Sequence, residues 1–430
     1  MTLGIFGLFN QQDILIPRAT FSFDFYDSYF IILLLISANF FVKTKNKFYD
    51  NKPTIYLFVF LFISFVGVLI NGQIGFPYFK TILSIIFTFW GWHSLLSIAN
   101  YDVELLIRRY YVFAFYMSIF AIVQEVFFLG GIQFFGFYHV GPFGLKRVCG
   151  LSGEPYYFAT IMLPAVFMAI SYLFKNSYDI PVFQKNGRLK SLLIIVAFIL
   201  TFSSIGLLFF VLFLLICTYK MLTKRTKIGS LVFVLIAPIL VFGLVTLNIY
   251  YTSNDKNFGN KSKNLSVLFN EDKVNKYDLE KFDGSSFALS SNILITKEAF
   301  KDNPAFGFGL GNYELVFEKY FGNIFDDTFR LRFGDMNKKD GNSGLIRLIA
   351  ETGIVGILMY LIYIITLLIK RLKNTNNNQI NSLIIFNHAI LFYFIIRLLR
   401  TGNYITEGYF FFYLMYYYTN KIVRKNARVT

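Results

Sequence analysis

The chain has 430 residues, 56% of them hydrophobic and only 15% charged, with a mean hydropathy of +0.54. That profile excludes an ordinary soluble domain and makes a polytopic membrane protein the default reading. The formal net charge of +16 is concentrated in segments predicted to face the cytoplasm, so it is a topology signal and no nucleic-acid partner is expected.

A span needs roughly 20 apolar residues to cross about 30 Å of hydrocarbon. In chain order the first candidates are 26–42, 53–71, 77–98, 110–129 and 156–173. The apolar run at 191–219 is long for one straight crossing and tight for two. Its flanks decide between them. Lys175, Lys185, Arg188 and Lys190 precede it, and Lys220, Lys224, Arg225 and Lys227 follow it, so both ends belong on the cytoplasmic side. The run is therefore expected to turn back on itself at "TFSSIG", 201–206, where Ser and Gly relax helix geometry and hydroxyls satisfy freed backbone groups. Further spans are expected at 228–250, 345–369, 382–400 and 406–420. The predicted fold class is all-α: a polytopic transmembrane helical bundle of about 11 spans, counting the hairpin as two. An additional N-terminal span around "LGIFGLFN" stays open, and no cleavable signal peptide is evident at the start.

The periodic apolar pattern vanishes in a long segment that the same topology puts outside the cell. The predicted organisation is thus N-terminal membrane helices over 1–251, a large extracytoplasmic loop over 252–343, and C-terminal membrane helices with a cytoplasmic tail over 344–430. A loop of this length is either disordered or functional. Its second half reads as ordered, with helical spacing at 290–300, a Gly-punctuated turn in "NPAFGFGLGNY" and a further helix at 312–320.

Charged residues cluster where these spans meet the outside. Arg147 and Glu154 in "RVCGLSGEPYYFA" stand at the mouth of the span beginning near Tyr156. Pro155 supports a helix start, and Glu154 beside the positive end of that helix dipole also fits a simple capping role. Arg397 and Arg400 share a helix face at i, i+3 near the outer end of the penultimate span, a position equally suited to snorkelling. Arg330, Arg332, Asn342, Arg347 and Glu351 fall where the long loop re-enters the membrane, and Arg347 and Glu351 at i, i+4 are spaced to pair. Arginine groups from distant regions at one membrane depth suit bidentate recognition of phosphate oxygens, so the expected ligand is a membrane-delivered anion such as a pyrophosphate. Cys149 and Cys217 are not expected to form a disulfide. The scattered His93, His139 and His388 lack metal-ligand spacing, so no metal site and no cofactor is expected.

Three successive blocks, "LLIIVAFILTFSSIGLLFFVLFLLICTY", "SSNILITKEAFKDNPAFGFGLGNYELVF" and "GNSGLIRLIAETGIVGILMYLIYIITLLI", resemble the O-antigen polymerase and O-antigen ligase superfamily over roughly residues 190 to 370. "RVCGLSGEPYYFA" is similar to an upstream block of the polymerases. The resemblance implies a metal-independent membrane glycosyltransferase acting outside the bacterial inner membrane on undecaprenyl-diphosphate-linked oligosaccharide repeat units. It also implies membrane lipid, a chain-length regulator and a flippase as partners. Carried over residue by residue, it implies catalytic roles for Arg147 and for Arg330, the latter through an R-x10-G match ending at Gly341. Arg332, Arg347, Arg397, Arg400 and Asn342 are the accompanying candidates for binding the diphosphate and sugar. A general base would be a carboxylate: Glu154 first, with Asp335, Asp340 and Glu351 as alternatives.

The sequence departs from the superfamily pattern in three places. No histidine stands near "DGNSGLIRL", where the ligases carry one, which favours a polymerase. An arginine often follows the hinge, where this chain has Ser204 and Ile205. Another commonly precedes the "A-F-x-x-N-P" block, where Leu289 and Ser290 stand. The competing readings are a ligase that hands the glycan to another acceptor, and a polysaccharide flippase.

Overall fold

A computed structural model describes residues 14–15, 22–23, 50–132, 139–140, 145–174, 187–210, 284–331, 337–369 and 378–426, apart from 73, 153, 204, 207, 326–328 and 407. Ten helices are named here: α1 (Lys52–Asn71), α2 (Phe76–Ile98), α3 (Val103–Leu129), α4 (Pro155–Phe174), α5 (Gly187–Leu200), α6 (Gly284–Asp302), α7 (Tyr313–Ile324), α8 (Gly344–Thr366), α9 (Asn378–Arg400) and α10 (Tyr409–Asn426). Among the described residues, strand is confined to two short antiparallel pairs, β1 (Ile14–Leu15) with β2 (Ser22–Phe23) and β3 (His139–Val140) with β4 (Lys146–Arg147). The chain is a multi-pass membrane protein. Among the described residues, six helices are long and apolar enough to cross a bilayer: α1, α2, α3, α4, α8 and α9. The expected spans at 26–42 and 228–250, and the N-terminal "LGIFGLFN", lie outside the described residues.

Side-chain pairings order the two ends of the bundle. At one end Asp50 meets Tyr417 and Lys421, Tyr111 meets Ser191, and Asn420 donates to the Leu367 carbonyl. At the other end Glu125 accepts from the Lys146 amide, Asn71 donates to the Gly307 carbonyl, and Ser343 donates to the Leu398 carbonyl. The second end, here the loop end, therefore collects the C-termini of α1, α3, α5 and α9, the N-termini of α2, α4, α8 and α10, and the α6–α7 region. The opposite end carries Lys52, Arg188, Lys190, Lys421, Arg424 and Lys425.

Helix α3 begins seven residues earlier than its apolar stretch suggests. Asp102 accepts from the Leu105 amide and caps the helix, with Glu104 in the first turn, so a polar but well-capped turn extends it. The expected reversal after α5 is present. Helix α5 stops at Leu200, Phe202 adopts a φ of 43°, and the Phe198 ring lies 5.7 Å from both Phe209 and Phe210. A straight helix would hold residues eleven apart about 16 Å from one another. Hydroxyls serve the freed backbone as expected: Ser203 N–H donates to Thr201 Oγ1 and Ile205 N–H to Ser203 Oγ, both at 3.3 Å.

The second half of the long loop is ordered around its own aromatic core. Phe287, Phe308, Tyr313, Phe317, Phe321, Phe325 and Phe329 are buried together between α6 and α7. This unit is joined to the membrane helices through a break in α8. Gly353 has φ 59° and ψ −161°, and a Cβ there would lie 2.4 Å from the Ala305 carbonyl oxygen, so only glycine fits. The 304–309 segment fills the break. Ile354 and Val355 N–H groups donate to the Pro304 and Ala305 carbonyls, while Phe308 and Gly309 N–H groups donate to the Ala350 and Glu351 carbonyls. Backbone groups that would otherwise be orphaned at membrane depth are thus paired.

Candidate functional site

All the sequence-predicted arginines that are described lie toward the loop end, but in separate settings. Arg347, in the first turn of α8, is buried. Its Nε donates to Glu351 Oε1 at 2.9 Å, its Nη1 donates to the Gly402 carbonyl at 2.9 Å, and its guanidinium lies 4.4 Å from the centre of the Tyr404 ring. The i, i+4 spacing thus makes the ion pair it suggested. Glu351 is fully buried and also accepts from the Tyr313 amide at 3.2 Å, which ties α8 to α7.

Arg397 is 3% exposed, so it does not snorkel. Its Nη1 donates to Tyr393 Oη and the Thr406 carbonyl, its Nη2 donates to the Asn403 carbonyl, and the Tyr393 and Tyr409 rings flank it. Arg347 and Arg397 therefore grip the same α9–α10 connection from two sides. Asn342 and the half-buried Arg400 belong to this neighbourhood. The Asn342 amide donates to Asp340 Oδ1 at 3.0 Å, and Asp340 interacts electrostatically with both Arg347 and Arg400. Sequence reasoning missed Gly402 and Tyr404, which complete the arrangement. A Cβ on Gly402 would overlap the Asp340 carbonyl, and nothing in the local pattern around "TGNYITEG" announces that approach.

Below this connection is a largely apolar, aromatic-rich hollow of about 70 Å³. Tyr56, Tyr360, Tyr363, Tyr409 and Tyr413 line it, with Arg397, Thr401 and Asn403 toward the loop end.

Arg147 stands apart from that group, on β4. Its Nε donates to the Thr201 carbonyl at 3.2 Å, at the turn after α5. The side chain is half-buried, and its terminal amino groups make no hydrogen bond to another described residue. Burial pulls its pKa below the ordinary arginine value, while the charge of Glu154 pushes the other way. Glu154 is exposed and immediately precedes the Pro155 that starts α4. Arg147 and Glu154 are thus near enough for their charges to interact, but they form no ion pair. Arg330 is on the surface beside α7, where its Nη2 makes contacts of 2.7 and 2.9 Å to both Glu318 carboxylate oxygens. Arg332 and Asp335 lie outside the described residues.

Among the described residues no group of three His, Cys, Asp or Glu side chains is placed to hold a metal ion. His93 and His388 are packed residues. His93 contacts Tyr101 Oη at 3.3 Å, and His388 Nε2 lies 3.2 Å from the Ile369 carbonyl. Cys149 is a buried free thiol.

Fold and site together define a multi-pass membrane protein with arginines gathered at the end that bears its ordered loop. Residues 189–361 match the family model described as O-antigen ligase, which bears out the resemblance to the O-antigen polymerase and ligase superfamily. That segment contains α5 and its reversal, the α6–α7 unit and most of α8. No curated protein matches the chain.

Proposed function

We propose that the protein polymerises undecaprenyl-diphosphate-linked oligosaccharide repeat units, in the bacterial inner membrane, with the loop end facing the periplasm or exterior. The orientation follows from the basic residues at the opposite end, which by the positive-inside rule belongs in the cytoplasm. In the reaction, a hydroxyl of one carrier-linked repeat attacks the anomeric carbon of the growing glycan on a second carrier. The new glycosidic bond forms as the bond from that carbon to the diphosphate oxygen breaks, and undecaprenyl diphosphate leaves.

One observation carries this reading: Arg147 is half-buried at the loop end, with a fork whose terminal nitrogens are uncommitted among the described residues. A preorganised cation of this kind offsets the charge that grows on a departing diphosphate. Glu154, exposed and close enough for its charge to act on Arg147, takes the proton of the attacking hydroxyl. Arg347 and Arg397 direct donors to the α9–α10 connection and to Glu351 and Tyr393, so their contribution is to hold the wall of the aromatic-rich hollow where a carrier lipid approaches. Arg330 reaches substrate by exchanging its surface partner Glu318 for an anion, with Arg332, Arg400 and Asn342 as the accompanying binding groups. No metal or cofactor takes part.

The test is reconstitution of the purified protein with a defined carrier-linked repeat in the presence of a chelator. Elongated products are expected from the parent, with a loss of about 100-fold or more for Arg147→Ala. Wild-type chain lengths from a well-folded Arg147→Ala protein would remove that residue from the site. A ligase reading has one observation in its favour, the description of the matched family model. Transfer of the glycan to a lipid or protein acceptor, without elongation on the carrier, would establish it.

A further inference from the structure

Two polar residues sit inside a membrane helix and take no part in the chemistry just described. Gln124 and Glu125, near the C-terminus of α3, are 2% and 5% exposed. Polar side chains at such positions are costly and are kept for a task. Both are directed at the short segment that carries Arg147. Gln124 makes a two-way pair with Gly150: its Nε2 donates to the Gly150 carbonyl at 2.8 Å, and the Gly150 amide donates to its Oε1 at 2.9 Å. Glu125 Oε1 accepts from the Lys146 amide at 3.1 Å.

These bonds bracket Arg147 on its two sides. Between them the Val148 amide donates to the Leu200 carbonyl, so the segment is pinned to α3 and to the end of α5 together. Gly150 has φ +60°, and a Cβ there would meet the Phe158 ring at 2.9 Å, so the segment turns against α4 with no slack. Its short pairing with β3 supplies little other restraint.

We infer that Gln124 and Glu125 are positioning residues for Arg147: they fix the backbone on either side of it, so that its guanidinium stays aimed at the departing diphosphate. The inference rests on the proposed polymerase reading, but its structural half is separately measurable. Cys149 lies inside the clamped segment, is buried, and has Gln124 Nε2 3.8 Å from its sulfur; burial also pushes its thiol pKa up. It is a built-in reporter of whether the clamp is closed.

The experiment uses the full-length protein in detergent, with Cys217→Ser removing the other thiol. Three variants are compared with it: Gln124→Leu, Gln124→Glu, which keeps the acceptor for the Gly150 amide, and Glu125→Gln, which keeps an acceptor for Lys146. Two quantities are read: the rate of Cys149 alkylation by N-ethylmaleimide, and kcat and KM for repeat-unit elongation. Gln124→Leu is expected to raise alkylation at least about 10-fold and to lower kcat by about 10- to 100-fold, with KM within about twofold. Glu125→Gln should keep both near the parent values, whereas Gln124→Glu, which sets a carboxylate oxygen against the Gly150 carbonyl, should fall between the parent and Gln124→Leu. Combined with Arg147→Ala, Gln124→Leu should cost nothing further, because it acts through that arginine.

Unchanged alkylation in a folded Gln124→Leu protein would overturn the clamp. Losses that multiply in the double variant would overturn its action through Arg147. Absence of elongation by the parent protein would refute the polymerase reading itself, and with it the catalytic half of the inference, while faster Cys149 alkylation would still uphold the clamp.

Discussion

Replacing Glu351 with alanine tests the buried pair at the head of α8. Glu351 is fully buried, pairs with Arg347 Nε at 2.9 Å and accepts from the Tyr313 amide. Removing one member of a buried ion pair costs about 3–5 kcal/mol, because the other charge is left uncompensated. Stranding the Tyr313 N–H adds about 1–3 kcal/mol. The two overlap in space, so a total of about 4–6 kcal/mol is expected. With an unfolding entropy of about 2.1 cal/mol/K per residue, a 430-residue chain melting as one unit has roughly 0.9 kcal/mol/K, which converts the loss to a drop of roughly 4–7 °C. Thermal unfolding followed by intrinsic fluorescence at fixed detergent concentration reads this directly. The double variant Arg347→Met with Glu351→Leu, which removes both charges and keeps apolar volume, should fall less than the single. A Glu351→Ala protein melting within about 1 °C of its parent, or a double variant falling as far as the single, would refute a structural role for the pair.

Gly353→Ala forces a Cβ to within 2.4 Å of a carbonyl oxygen at a backbone conformation open to glycine. Backbone strain alone costs about 1–3 kcal/mol, so a sharp fall in the monodisperse fraction on size exclusion is expected, and full recovery would contradict the packing described. Arg330→Ala breaks a surface pair worth under about 1 kcal/mol; an unchanged melting temperature with shortened glycan products is expected, and parental chain lengths would exclude Arg330 from the reaction. At the opposite end, burial pushes the Asp50 carboxyl up, but hydrogen bonds from Tyr417 and the Lys52 amide, together with the Lys421 ammonium, outweigh it and hold the pKa below its ordinary 3.8. A depressed carboxyl contributes stability above the ordinary value and loses it as pH falls through the folded value. Asp50→Asn should therefore lower the melting temperature at pH 7, with the difference closing below about pH 4; a difference independent of pH would show that the charge is not responsible.

Features set by local chemistry were legible in the sequence. The basic flanks and the Ser/Gly hinge of the 191–219 run foretold the reversal after α5, and the spacing of Arg347 and Glu351 foretold their pair. Helical spacing at 290–300 and 312–320 likewise anticipated α6 and α7. Features set by contacts far apart in the chain were not legible. Gln124 meets Gly150, 26 residues away, and Arg347 meets Gly402, 55 away; neither leaves a periodic trace in the chain. The start of α3 was hidden for a different reason, since Glu104, Arg108 and Arg109 lower hydropathy while Asp102 caps the turn. The described arginines fall toward one end of the bundle, yet that says nothing about which donors are already occupied, and that is where Arg147 and Arg397 differ.

The insertion of 304–309 into the interrupted helix α8 has a consequence for how the protein is made. The half of α8 beyond Gly353 begins with amides that have no partner until the preceding loop docks, so it is a poor passenger for lateral release into lipid on its own. The loop emerges first during synthesis, and in the proposed orientation it is waiting on the far side when that helix arrives. Biogenesis of the C-terminal spans is thereby coupled to folding across the bilayer, and a truncation lacking 304–309 should stall them at the translocon.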